Sequence, residues 1–147
     1  MTSPFQGAEA PLVRIVDDDP SILESLGYLL GKAGFECRGH ASARDFLTAD
    51  APSRPGCVIL DIRMPGMDGM DLQREMNRRG ILLPVIFFSG HGDIDAAVET
   101  MRRGATTFLA KTVAPERLLS AVAEAVELSL AGGGARGRLT DADVASR

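Results

Sequence analysis

No stretch of this chain approaches the roughly 20 consecutive apolar residues that a helix needs to cross a bilayer, so its pattern excludes a membrane span. The opening MTSPFQGAEAPL lacks both the basic start and the apolar centre of a secretory signal. A cytoplasmic location is the resulting expectation. Histidines number only two, His40 and His91, too few for a His-rich metal site. There are also only two cysteines, Cys37 and Cys57, without metal-ligand spacing. They read as buried thiols rather than a disulfide, which a reducing compartment disfavours. No Walker loop and no GxGxxG occur, and GGG at 132–134 follows a helical stretch instead of opening one. Positive charge is not in excess: the net charge is −4, which argues against direct nucleic-acid binding by this chain.

What remains is an ordinary globular composition, 45% hydrophobic and 24% charged over 147 residues, enough for one domain with a real core. Five short apolar runs stand out: LVRIV (12–16), FECRGH (35–40), CVIL (57–60), PVIFF (84–88) and TTFLA (106–110). Runs rich in Val, Ile and Phe suit strands buried on both faces. Between them apolar residues recur at helical spacing. Ile22, Leu26, Leu29 and Leu30 make one stripe, and Leu72 and Met76 a second. Ile94, Ala97, Val98 and Met101 make a third, and Leu118, Val122 and Val126 a fourth. A shorter helix is expected over 42–49.

Lys32-Ala33-Gly34, Arg78-Arg79-Gly80 and Arg102-Arg103-Gly104 each set cations on a last helical turn with Gly beyond it. Cations offset the negative helix end, and Gly accepts the left-handed conformation there. The Arg pairs could alternatively form a nucleic-acid patch, a less economical explanation. Strand and helix alternate five times, which implies an α/β fold with a doubly wound five-stranded parallel sheet. The expected strand order is 2-1-3-4-5, as in flavodoxin and CheY. The domain is read as residues 12–130. Residues 1–11 are taken as a disordered N-terminal extension, and 131–147 as a flexible linker or the start of a missing output domain.

In such a sheet ligands bind beyond the carboxyl ends of the strands, where the order reverses. Strand 1 ends in Asp17-Asp18-Asp19 and strand 3 in Asp61, while strands 4 and 5 deliver Ser89 and Lys111 to the same edge. Clustered carboxylates repel one another unless cations intervene. Lys111 supplies one cation, and a hard divalent ion, Mg²⁺ or alternatively Mn²⁺, suits the carboxylates. Asp61 is thereby kept ionised and fit to attack phosphorus, a known use of carboxylate nucleophiles. Ser89 could donate to a phosphoryl oxygen, and Gly90 leaves room for the group. Taken singly these residues are ordinary. Asp19 before Pro20 fits a helix N-cap, Ser89 a loop and Lys111 a solvated charge. Their conjunction on strands 1, 3, 4 and 5 is not.

The motifs RIVDDDPSILESL, VILDIRMPGMDG, FFSGHGD and FLAK resemble, in order and spacing, the receiver domain of two-component response regulators, over roughly residues 12–128. SGHGD with RMPGMDG is similar to the FixJ-like branch, whose members commonly carry a LuxR-type helix-turn-helix. The resemblance implies Asp61 as phosphoacceptor, and Asp17 and Asp18 as the acidic pair of the metal site. Asp18 would be the direct ligand and Asp17 would act mainly through water, with the Arg63 backbone carbonyl as a further metal ligand. Ser89 and Phe108 would be the switch residues, Lys111 the phosphate partner, and Arg63 and His91 tuners of phosphoryl lifetime. It implies a signalling switch rather than an enzyme with a separate substrate, with a sensor histidine kinase as partner and a homodimer formed on phosphorylation. The dimer would use the helix expected near 94–101, strand 5 and the last helix.

One departure is Thr112, where the family usually has proline after the lysine, often in a cis bond. A cis bond before a non-proline residue costs about 2.5–4 kcal/mol, so a trans bond is expected at 111–112. RLTDADVASR is faintly similar to the opening of a LuxR-type domain. Two alternatives stay open: a stand-alone or degenerate receiver that only binds proteins, and a haloacid-dehalogenase-type phosphohydrolase. The second needs an acid two residues after the nucleophile, and Arg63 stands there.

Overall fold

The computed structural model describes residues 10–90, 92–94 and 107–133. Five strands, β1 (Leu12–Val16), β2 (Glu36–His40), β3 (Gly56–Leu60), β4 (Val85–Ser89) and β5 (Thr107–Ala110), form one parallel sheet in the order β2-β1-β3-β4-β5. This is the doubly wound arrangement expected from the alternation. His91, the greater part of the helix expected over 94–101 and the Arg102-Arg103-Gly104 end signal lie outside the described residues.

Both faces of the sheet are covered, which is why the central strands β3 and β4 read as apolar runs, and β1 as one interrupted only by Arg14. On one face Val13, Ile15, Ile59, Ile86 and Phe88 pack with Leu26 and Leu30 of α1 (Pro20–Lys32) and Leu118, Val122 and Val126 of α4 (Pro115–Gly133). On the other, Val16, Val58, Leu60, Val85 and Phe87 meet Phe46 of α2 (Ala43–Ala49) and Leu72 and Met76 of α3 (Gly69–Arg78). Alternate residues of β3 and β4 therefore serve opposite cores. No helix among the described residues is long and apolar enough to cross a membrane.

Local signals explain the helix ends. Asp19 caps α1 by accepting from Ser21 N, with Pro20 at the first helical position. Ser42 caps α2, and Asp68 and Asp71 close a reciprocal capping box on α3. Beyond α1 and α3, Gly34 and Gly80 take φ of 97° and 73°, the left-handed region glycine accepts without strain. Cys37 and Cys57 are free; Cys57 is buried but Cys37, on edge strand β2, is only half-buried.

Two boundaries differ from expectation. α4 runs to Gly133, into the segment read as linker, because buried Ser129 accepts from Gly56 N at 2.9 Å and Leu130 packs on the core. Those tertiary contacts outweigh the poor helix propensity of glycine. At the other end Pro11 is buried, and Ala10 O accepts from Arg54 Nε at 2.6 Å, so packing begins before β1.

Beneath the sheet lies a buried ion pair. Arg14 of β1 is fully buried, its Nε 2.9 Å from Asp50 Oδ1. Its remaining donors reach the carbonyls of Leu12, Ala51 and Arg54, each at 2.8 Å. A buried guanidinium satisfied in this way fixes the segment that leads into β3.

Candidate functional site

Backbone hydrogen bonds continue past the strands and hold the exit residues in register. Asp17 N donates to His40 O at 3.1 Å, Asp61 N to Val16 O at 3.0 Å and Lys111 N to Ser89 O at 2.8 Å. The carboxyl edge of β1, β3, β4 and β5 thus delivers Asp17, Asp61, Ser89 and Lys111 to one place. Asp17, Asp61 and Ser89 are buried, whereas Asp18 is exposed.

The side chains are joined. Ser89 Oγ donates to Asp61 Oδ1 at 2.6 Å, and Ile62 N donates to Ser89 Oγ at 3.4 Å. Lys111 Nζ lies 2.9 Å from Asp17 Oδ2 and 3.5 Å from Asp61 Oδ2. Asp17 Oδ1 accepts from Asp19 N at 2.9 Å. Burial pushes the Asp17 carboxyl above its usual range, against the Asp19 N–H and Lys111, which favour the charged form, and with Asp61, which does not. Burial pulls the Lys111 ammonium the other way, but the hydrogen bond to Asp17 and the charges of Asp61 and Asp17 outweigh it and raise its pKa. The hydroxyl and backbone N–H of Ser21 hold Asp19 below the usual range, as befits a helix cap.

Asp17, Asp18 and Asp61 each offer a carboxylate oxygen within 4.8 Å of the others. Hard oxygen donors converging at that spacing fit a small divalent cation. Chemically the site combines a buried carboxylate, a hydroxyl donor, an ammonium and an acid pair that could hold a cation.

The remaining residues named from sequence sit around this centre. Phe108, half-buried on β5, stacks on buried Phe87 with ring centroids 5.0 Å apart and planes 16° apart. Arg63 lies at the rim, 81% exposed, its guanidinium on Asp93. The Lys111–Thr112 bond is trans, as expected, and Val113 N donates to Ala110 O to close the turn that follows β5.

Three contributors went unassigned in the sequence. Gly69 N donates to Ile62 O at 2.8 Å, and a Cβ there would stand 2.3 Å from Asp61 O. This glycine is thus a place where two backbones touch, a known use of the residue. Phe87 supplies the platform for Phe108, and Asp93 the partner for Arg63; neither is signalled by sequence spacing.

The sequence profile described as response regulator receiver domain matches residues 13–123. The chain is 42% identical over 130 residues to the transcriptional regulatory protein FixJ of Azorhizobium caulinodans, covering 88% of this chain and 60% of that protein. It is also 42% identical over 120 residues to the response regulator protein TodT of Pseudomonas putida, covering 82% and 53%. The chain therefore spans between half and two thirds of the length of these relatives. Among solved structures, the response regulator StyR superposes with a TM-score of 0.82 at 38% identity, covering 90% of this chain and 67% of that one.

Proposed function

The chain belongs to the response regulator receiver domain family, and from that premise we propose that it is a phosphorylation-activated switch of a two-component system, with Asp61 as phosphoacceptor. The observation that carries this reading is the sharing of one buried carboxylate: Asp61 gives Oδ1 to Ser89 and Oδ2 to Lys111. Nucleophile, donor and counter-charge are prearranged, and phosphoryl transfer depends on little else than positioning and charge.

The donor is a phosphohistidine of a sensor histidine kinase. An Asp61 oxygen forms the new bond to phosphorus as the N–P bond breaks and the imidazole leaves. Lys111 meets the charge on one phosphoryl oxygen, and Ser89 turns its hydroxyl from Asp61 to another. Asp17, Asp18, Asp61 and the Arg63 carbonyl would hold Mg²⁺, or Mn²⁺ in its place. When bound, the ion offsets the negative charge of the transferring group.

Movement of Ser89 toward the phosphoryl group opens space for Phe108 to leave its stack on Phe87. That exchange biases two arrangements of the face carrying β5 and α4, and the biased face dimerises. Arg63 and His91 tune the lifetime of the phosphorylated state. The net charge of −4 argues against direct nucleic-acid binding by this chain. Output to transcription is in keeping with a FixJ relative named as a transcriptional regulatory protein.

Incubation with acetyl phosphate and Mg²⁺ tests the reading. A base-labile adduct of about 80 Da, one phosphoryl group, supports it. Steady release of orthophosphate with no adduct supports a phosphohydrolase, and neither adduct nor release a degenerate receiver.

A further inference from the structure

Among the described residues, two links between side chains join the segment leaving β3 to the end of β4 and the segment beyond it. The inner one, Ser89 to Asp61, is buried. The outer one is an ion pair in which Arg63 Nε and Nη2 both donate to Asp93 Oδ1, at 3.0 and 2.8 Å. An acid in the first turn of a helix has a local reason to exist, which could account for Asp93 by itself. It does not account for an arginine fixed through two of its donors while 81% of its side chain faces solvent. Arg63 stands two residues after Asp61, and its guanidinium also lies in the field of Asp61 and Asp68. Gly90 adds no side chain between the pocket and Asp93, whose Oδ2 would lie 3.7 Å from a Cβ at that position.

A phosphoryl group on Asp61 would carry close to two negative charges against the single charge of Asp93. Both anions therefore compete for one guanidinium. We propose that Asp93 is a positioning residue that holds Arg63 away from the phosphoryl group and so keeps the phosphorylated state open to water. The proposal rests on Asp61 being the phosphoacceptor. In the loss reaction a water oxygen bonds to phosphorus and the bond from Asp61 oxygen to phosphorus breaks. Asp61 leaves as carboxylate, orthophosphate departs, and a proton passes to solvent. A freed Arg63 pairs with the phosphoryl oxygens, covers their solvent side and slows this step.

The test loads the chain with acetyl phosphate and Mg²⁺, removes the donor and follows loss of the adduct by intact mass. Asp93→Asn should decay about two- to fivefold more slowly than the native chain, the span expected of one exposed ion pair. Asp93→Glu should restore the native rate. In an Arg63→Ala background, Asp93→Asn should change nothing, a dependence that a merely structural role for Asp93 would not show. A native or faster decay in Asp93→Asn overturns the proposal, as does slowing that persists without Arg63. A native chain that takes no label overturns the phosphoacceptor reading itself, and the latch with it.

Discussion

Ser89 and Asp61, 28 positions apart in the chain, are joined by a buried 2.6 Å hydrogen bond from hydroxyl to carboxylate. Ser89 is 1% exposed and Asp61 6%, so water cannot readily replace either partner. Ser89→Ala leaves one carboxylate oxygen short of a donor in a dry site. A loss of about 1–3 kcal/mol in folding stability is expected, measured by urea unfolding without added metal.

Asp17 makes stability depend on pH in an unusual direction for an acid. Burial holds its carboxyl above the usual range, so the folded state binds the proton more tightly than the unfolded state does. Its contribution is fully present below the unfolded value, about pH 3.9, and is lost as pH rises through the higher folded value. In EDTA, Asp17→Asn should therefore be more stable than the native chain at neutral pH, with the difference shrinking toward pH 3. Millimolar Mg²⁺ should raise the native Tm by more than it raises that of Asp17→Asn, because a ligand stabilises the folded state in proportion to how tightly that state binds it. Thermal melts across pH, with and without the ion, check both statements.

Gly69 is placed where any side chain meets backbone atoms. A methyl group there would stand 2.3 Å from Asp61 O and 2.9 Å from Ile62 Cα, and backbone atoms cannot swing aside. Gly69→Ala should cost about 1–3 kcal/mol, the range of overpacked sites. It should also slow labelling by acetyl phosphate, because the atoms displaced belong to Asp61, the proposed acceptor. Unfolding curves and labelling rates on the same samples separate the two effects.

Arg14 and Asp50 test the scaffold apart from the chemistry. Their side chains are 0% and 2% exposed. Asp50→Ala leaves the guanidinium buried without its counter-charge, at a cost of about 3–5 kcal/mol. The pair lies away from the acidic pocket, so labelling below the lowered melting temperature should match the native rate.

The sheet was legible in the sequence because burial on both faces leaves the central strands as largely apolar runs, and crossover handedness restricts their order. Asp17, Asp61, Ser89 and Lys111 were legible for a related reason: strand exits are set by topology, so residues at them can be placed without knowing rotamers. Side-chain choices at the rim were not. Nothing in the spacing of Arg63 and Asp93 distinguishes an ion pair from two solvated charges. The contact of Gly69 with Asp61 depends on how a loop folds back, and the end of α4 on what Ser129 and Leu130 touch. Each of these is decided by tertiary approach, not by local pattern.

The central claim is that Asp61 takes the phosphoryl group. Labelling with acetyl phosphate and Mg²⁺, reduction with borohydride and peptide mapping tests it most directly. The account predicts a homoserine at position 61, none when EDTA replaces Mg²⁺, and no adduct on Asp61→Asn. Label on another residue, or undiminished labelling of Asp61→Asn, would contradict it.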